Sequence, residues 1–179
     1  MAKKKNNNSI WIIKITLMAF IISFIFSFIS EIALNNTGVF IGIIILFTFI
    51  LLGVLFDMIG VAVTASSEKP IHSMNSRKVR GANVATKFKK NADKVSSFCN
   101  DVVGDICGII SGSAGVVIAT SLTPIIKINP LYISLIVTAL IAALTIGGKA
   151  LGKGFAIKNS NNILYNFSKF VSYFYNSKK

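Results

Sequence analysis

Only six acidic residues occur in the 179-residue chain, and three of them, Asp57, Asp101 and Asp105, fall in apolar stretches. Carboxylates in such surroundings are costly and mark ion or proton pathways. Asp101 and Asp105 stand four residues apart, which on a helix puts both on one face. Asn100 adds an amide oxygen beside them. Two carboxylates and an amide make a hard-oxygen environment, suited to Mg²⁺ or Ca²⁺ rather than a soft transition metal, and equally to a proton relay. A second polar group, Ser66, Ser67 and Glu68, precedes Lys69 and Pro70. Pro70 disfavours helix at Lys69. Hydroxyls and a carboxylate at a helix break facing a cavity are a recurrent way to build a membrane ion site.

Each feature also has a plainer reading. Asp101 and Asp105 would suit the first turn of a helix electrostatically, with Ser96 or Ser97 as its N-cap. Asp57 would serve as an interhelical hydrogen-bonding group. The Ser66–Glu68 run would be a polar helix end followed by an N-cap. Gly104, Gly108 and Gly112 form a row four residues apart, with Ser111 among them, and small residues so spaced let helix backbones approach closely. Exposed backbone carbonyls along that row are a second consequence.

Other chemistry is excluded. No G-x-S-x-G, GxxxxGK[ST] or H-E-x-x-H pattern occurs, so an enzyme is not expected. His72 is the only histidine and reads as a solvated loop residue. Cys99 and Cys107, eight apart on one helix, would lie roughly 12 Å from each other, beyond the reach of a disulfide.

The elements that must position these residues are membrane helices. Hydrophobic residues make up 53% and charged residues 14% of the chain, against about 25% charged in a soluble domain. The mean hydropathy is +0.70. A hydrocarbon core needs about 20 apolar helical residues. Four segments meet that length: Ile10–Ser30, Val39–Thr64 around Asp57, the Gly-rich Phe98–Leu122, and Leu131–Leu151. None alternates as barrel strands would. The first follows Lys3, Lys4 and Lys5 and is longer than a signal-peptide core, so it reads as an uncleaved signal anchor.

The net charge of +13 then becomes a topological signal rather than a nucleic-acid footprint. Lys3 to Lys5, eight basic residues within 65–97 and six from Lys149 onward would share one side; only Lys127 falls in an opposite loop. The positive-inside rule places both termini and the 65–97 loop in the cytoplasm of a multi-pass plasma-membrane protein. The loop has a weak apolar face of Val79, Ala82, Val84, Ala85, Phe88 and Ala92, and its basic face would rest on anionic lipid headgroups. Ile163–Tyr175 is amphipathic, with Phe167, Phe170, Val171 and Phe174; it fits an interfacial helix, the alternative being an irregular tail. The fold class is thus all-α: about four transmembrane helices, an amphipathic cytoplasmic connector and a C-terminal interfacial helix.

The central region resembles the membrane domain (DUF21) of the CNNM/CorB/CorC family. Ala65 to Val79 is similar to that family's S-E-x-A-L-x-S-x-x-R segment, Gly81 through Asp93 to its amphipathic connector, and Cys99 to Asp105 to its G-N-N-L-V-N. The resemblance covers roughly 39–155. It implies a three-helix membrane domain with a basic connector over 65–97, preceded by an added helix in 1–38 and followed by a cytoplasmic tail at 156–179. The family's cytoplasmic CBS and CorC-type domains are not expected here. By resemblance, the chain would be a homodimeric Mg²⁺ transporter or transport-related protein, with Ser66, Ser67, Glu68 and Asn100 near the ion. Asp101 and Asp105 stand where the family often has Asn.

Overall fold

The computed structural model describes residues 2–35, 39–126 and 128–174. Among them all regular structure is helical. In chain order these are α1 (Ala2–Asn35), α2 (Val39–Ala65), α3 (Glu68–Ser76), α4 (Ala82–Lys90) and α5 (Ala92–Ser97). A π-helical stretch (Phe98–Gly104), α6 (Asp105–Ile126), α7 (Pro130–Lys158) and α8 (Ser160–Phe174) follow. Four segments are long and apolar enough to cross a membrane: Ile10–Ile32, Val39–Ala65, Ala92–Ile125 and Pro130–Lys158. Helices are the natural outcome, because backbone groups in lipid must be satisfied within the segment. Threonines in these spans turn inward in the same way. Thr48 donates to the carbonyl of Ile44 (2.8 Å) and Thr145 to that of Ile141 (2.8 Å). Lys127, the expected outside charge, and Tyr175 lie outside the described residues.

The third span differs most from expectation. It begins at Ala92, so Ser96 and Ser97 are helical residues of α5 and not N-caps. Asp101 sits inside the π-helical stretch and Asp105 opens α6, both within one continuous span. The reason is local: Asn91 ends α4, and its carbonyl at once accepts the N–H of Val95. The break after α2 also lies earlier than Pro70 suggests. Ser67 is extended (φ −86°, ψ 142°) and α3 starts at Glu68, placing Pro70 in the first turn, where its missing N–H costs nothing.

The chain divides into two compact units. One comprises residues 1–53 and 102–146. In it, Phe26 of α1 meets Phe49 of α2 edge to face at 6.2 Å. Gly115 lies so close to Ile141 that a Cβ there would collide with it. Beside Gly108 and Gly112, by contrast, an added Cβ would meet open space, while at the head of the row a Cβ on Gly53 would lie 3.6 Å from the Gly104 carbonyl oxygen.

The other unit comprises residues 54–101 and 147–179. Its core joins the end of α2 to the short helices: Val63, Ile71, Ala85 and Leu164 are buried together, flanked by Ile59, Met74, Phe88, Ala92 and Val95. Gly81 (φ 87°) occupies a left-handed turn whose backbone presses on that of Lys169, a conformation and an approach that suit only glycine. The apolar residues of α8 serve two faces. Leu164 is buried, Phe167 lies 5.7 Å from Phe88 of α4, and Phe170, Tyr173 and Phe174 remain exposed.

Candidate functional site

Asn100 is the best-positioned polar residue of the third span. It lies in the π-helical stretch, whose wider turns carry an i→i+5 pattern often found at functional sites. Its Nδ2 donates to Ser96 Oγ at 3.3 Å. Its Oδ1 is buried and has no hydrogen-bond partner. The amide rests directly on Gly60 of α2, where a Cβ would strike Oδ1 and Cγ. A glycine inside a helix otherwise costs up to about 1 kcal/mol relative to Ala. Here it opens the space that the amide fills. A buried acceptor left over is also unfavourable, by about 1–3 kcal/mol. Two local costs converge on one carboxamide oxygen.

The α2–α3 break is polar too, but its groups are engaged. Ser66 is buried; its N–H donates to the Ala62 carbonyl (2.9 Å) and its hydroxyl to that of Val63 (2.9 Å). Lys89 Nζ donates to the carbonyls of Thr64 (2.9 Å) and Val63 (3.3 Å). Ser67 is the N-cap of α3, yet its side chain makes no cap bond; its N–H donates instead to Asn161 Oδ1 of α8 at 2.9 Å. Glu68 is exposed in the first turn of α3, where a carboxylate suits the helix dipole.

Ser66, Ser67, Glu68, Asn100 and Asp101 belong to the same unit, and Asp57 is half-buried on α2 within it. Asp101 is exposed. Asp105 and the glycine row belong to the other unit; Asp105 is exposed there, and Ser111 is fully buried with its hydroxyl on the Cys107 carbonyl at 2.7 Å. Both cysteines are buried and form no disulfide. Among the described residues no three His, Cys, Asp or Glu side chains gather as a metal-holding group.

Three contributors are invisible in local sequence: Gly60, Lys89 and Asn161. Gly60 shows only as a glycine in an otherwise apolar helix. Lys89 is one more charge in a basic loop, and Asn161 lies 94 residues from the N–H it holds. Comparison with family models, with curated proteins and with solved structures found no match.

Proposed function

We propose that the chain is a divalent-cation transporter or transport-related membrane protein, with Mg²⁺ its leading cargo. The observation that carries this reading is the Asn100 carboxamide. Its oxygen is buried, unpartnered and seated on a glycine, in a π-helical stretch of an apolar span. A neutral oxygen held without a partner can coordinate a hard cation, or accept a hydrogen bond from one of the waters that Mg²⁺ retains. Ser66, Ser67 and Asp101, in the same unit as Asn100, are further candidate oxygen ligands, and Asp105, in the other unit, is a separate candidate. Asp57 is a candidate relay group on the same helix as Gly60.

In this reading the protein is a multi-pass plasma-membrane protein with cytoplasmic termini. Residues 65–97 form a cytoplasmic connector whose basic residues meet anionic headgroups. The exposed Phe170, Tyr173 and Phe174 of α8 lie in the membrane interface, where aromatic rings partition well. The chain works as a homodimer, and the open space beside Gly108 and Gly112 is where a second copy's helix would approach. Nucleic acid is not a partner.

The test is Mg²⁺ flux in proteoliposomes for wild type, Asn100→Ala, and Asp105→Asn combined with Ser67→Ala. Loss of flux in Asn100→Ala supports the reading. Wild-type vesicles no leakier to Mg²⁺ than protein-free vesicles sink it. Unchanged flux in the double variant removes those two residues from the site.

A second reading, a non-transporting scaffold or partner subunit, is favoured by the α2–α3 break. There Lys89 and Asn161 satisfy from within the groups an ion would have used. Protein that shows no Mg²⁺-dependent thermal stabilisation favours the scaffold.

A further inference from the structure

The end of α2 carries a cation of its own. The last four carbonyls of a helix have no intrahelical partner and gather the negative end of its dipole. Here two of them, on Val63 and Thr64, accept hydrogen bonds from Lys89 Nζ at 3.3 and 2.9 Å. Lys89 belongs to α4, not to α2 or its continuation, and reaches back 25 residues to Thr64. A basic residue commonly caps its own helix. This one instead ties the connector to the end of a candidate span.

Lys89 also lines a second place. Together with Glu68, Ile71, His72, Thr86 and Lys90 it borders a cavity of about 150 Å³. That volume accepts a few waters, at about 30 Å³ each. Its lining includes one acidic residue, Glu68, and two lysines, Lys89 and Lys90. A lysine stem is flexible and its head is a compact charge with rotatable donors. The ammonium sits on the α2 carbonyls, and the cavity that Lys89 lines together with Glu68 is where a turn of that stem would take it.

We propose that Lys89 is a tethered competitor of the transported cation. Its ammonium holds the α2 carbonyls in the absence of ion and leaves them for the Glu68 cavity when a divalent cation arrives. Carbonyl oxygens serve an ammonium and a hard divalent ion alike, but two like charges on the same oxygens exclude each other. Arrival of the ion would then release α4 from α2, so occupancy is felt by the connector. The inference rests on the cation-transport reading and adds a built-in regulator to it.

The test is Mg²⁺ titration of the purified full chain in detergent, followed by calorimetry and thermal unfolding, for wild type, Lys89→Met and Lys89→Arg. Lys89→Met removes the competing charge at similar length and is expected to bind Mg²⁺ about tenfold more tightly, the worth of one charged hydrogen bond. Lys89→Arg is expected to bind no better than wild type. Wild-type binding with equal or weaker binding by Lys89→Met overturns the competitor and leaves the transport reading standing. Binding by Lys89→Met alone supports the competitor. No binding by either protein overturns both. Should Lys89→Met fold poorly, Lys89→Gln keeps a neutral donor on the carbonyls, and its Mg²⁺ affinity is expected to rise in the same direction; an unchanged affinity overturns the proposal.

Discussion

Two polar places in the same unit are finished in opposite ways. At the α2–α3 break, the amides, hydroxyl and carbonyls that the chain interruption frees are taken up by Ser66, Lys89 and Asn161. At Asn100, one acceptor is buried and left without a partner. Closed polar networks add rigidity, and half-open ones are tolerated only for a reason. The break therefore reads as a joint that fixes α3 and α4 under α2. The Asn100 seat reads as a place kept ready for something else. The contrast moves the centre of the proposed ion path from the hydroxyl run to the carboxamide.

The largest expected effect lies at Gly60. Gly60→Ala places a methyl group where Asn100 Oδ1 now sits, and the amide, the far end of a flexible side chain, must swing away. We expect Mg²⁺ flux in proteoliposomes to fall at least tenfold. Thermal stability should change little, because Ala regains up to about 1 kcal/mol of helix propensity. Loss of flux with unchanged unfolding is the signature of a positioning role. Loss of folding instead would make Gly60 a packing residue and blur the contrast between the two places.

The joint should behave in the opposite sense, with stability lost before function. Leu164 is 0% exposed and meets Val63, Ile71 and Ala85. Leu164→Ala is expected to destabilise the protein by about 2–5 kcal/mol, the usual range for such a cavity. Thermal or denaturant unfolding measures this. A smaller loss would mean that α8 docks loosely and that its exposed aromatic face, not Leu164, secures it.

The four spans were legible because hydropathy and length alone decide them, and Asn100 was singled out as an amide oxygen beside Asp101 and Asp105. The start of the third span was not legible. Asn91 to Ser97 reads as the end of the amphipathic connector, with Ser96 or Ser97 as an N-cap, yet α5 runs directly into the π-helical stretch, which moves Asp101 from a helix start into a helix body. Sequence also left α8 ambiguous: Phe167 and Phe170 look alike in an amphipathic pattern, but one packs on Phe88 and the other faces outward. Long-range partners decide such matters, and Gly60 with Asn100, Lys89 with Thr64, and Ser67 with Asn161 are all of that kind.

A middle-sized effect is expected from Asn161→Ala. It removes the acceptor for the Ser67 N–H and leaves that donor to solvent, since Ser67 is exposed. The loss should be about 1 kcal/mol, near the net worth of one hydrogen bond. Hydrogen exchange at the Ser67 amide should speed up first. If exchange there is unchanged, α8 does not clasp the break and the joint rests on Lys89 alone.

The smallest effect, and the sharpest test of the contrast, is Ser67→Ala. A serine at an N-cap normally contributes about 1 kcal/mol through its side chain. Here the hydroxyl makes no cap bond, and the work at this position is done by the backbone N–H, which alanine keeps. The expected change in unfolding free energy is therefore below about 0.5 kcal/mol, within the range of neutral surface substitutions. A Ser67 hydroxyl with no structural task has two remaining descriptions: a solvated side chain or an ion ligand. Flux separates them where stability does not. Flux equal to wild type removes the Ser67 hydroxyl from the ion path. A fall in flux at unchanged stability would return Ser67 to the ion path, and the difference between the two places would become one of degree.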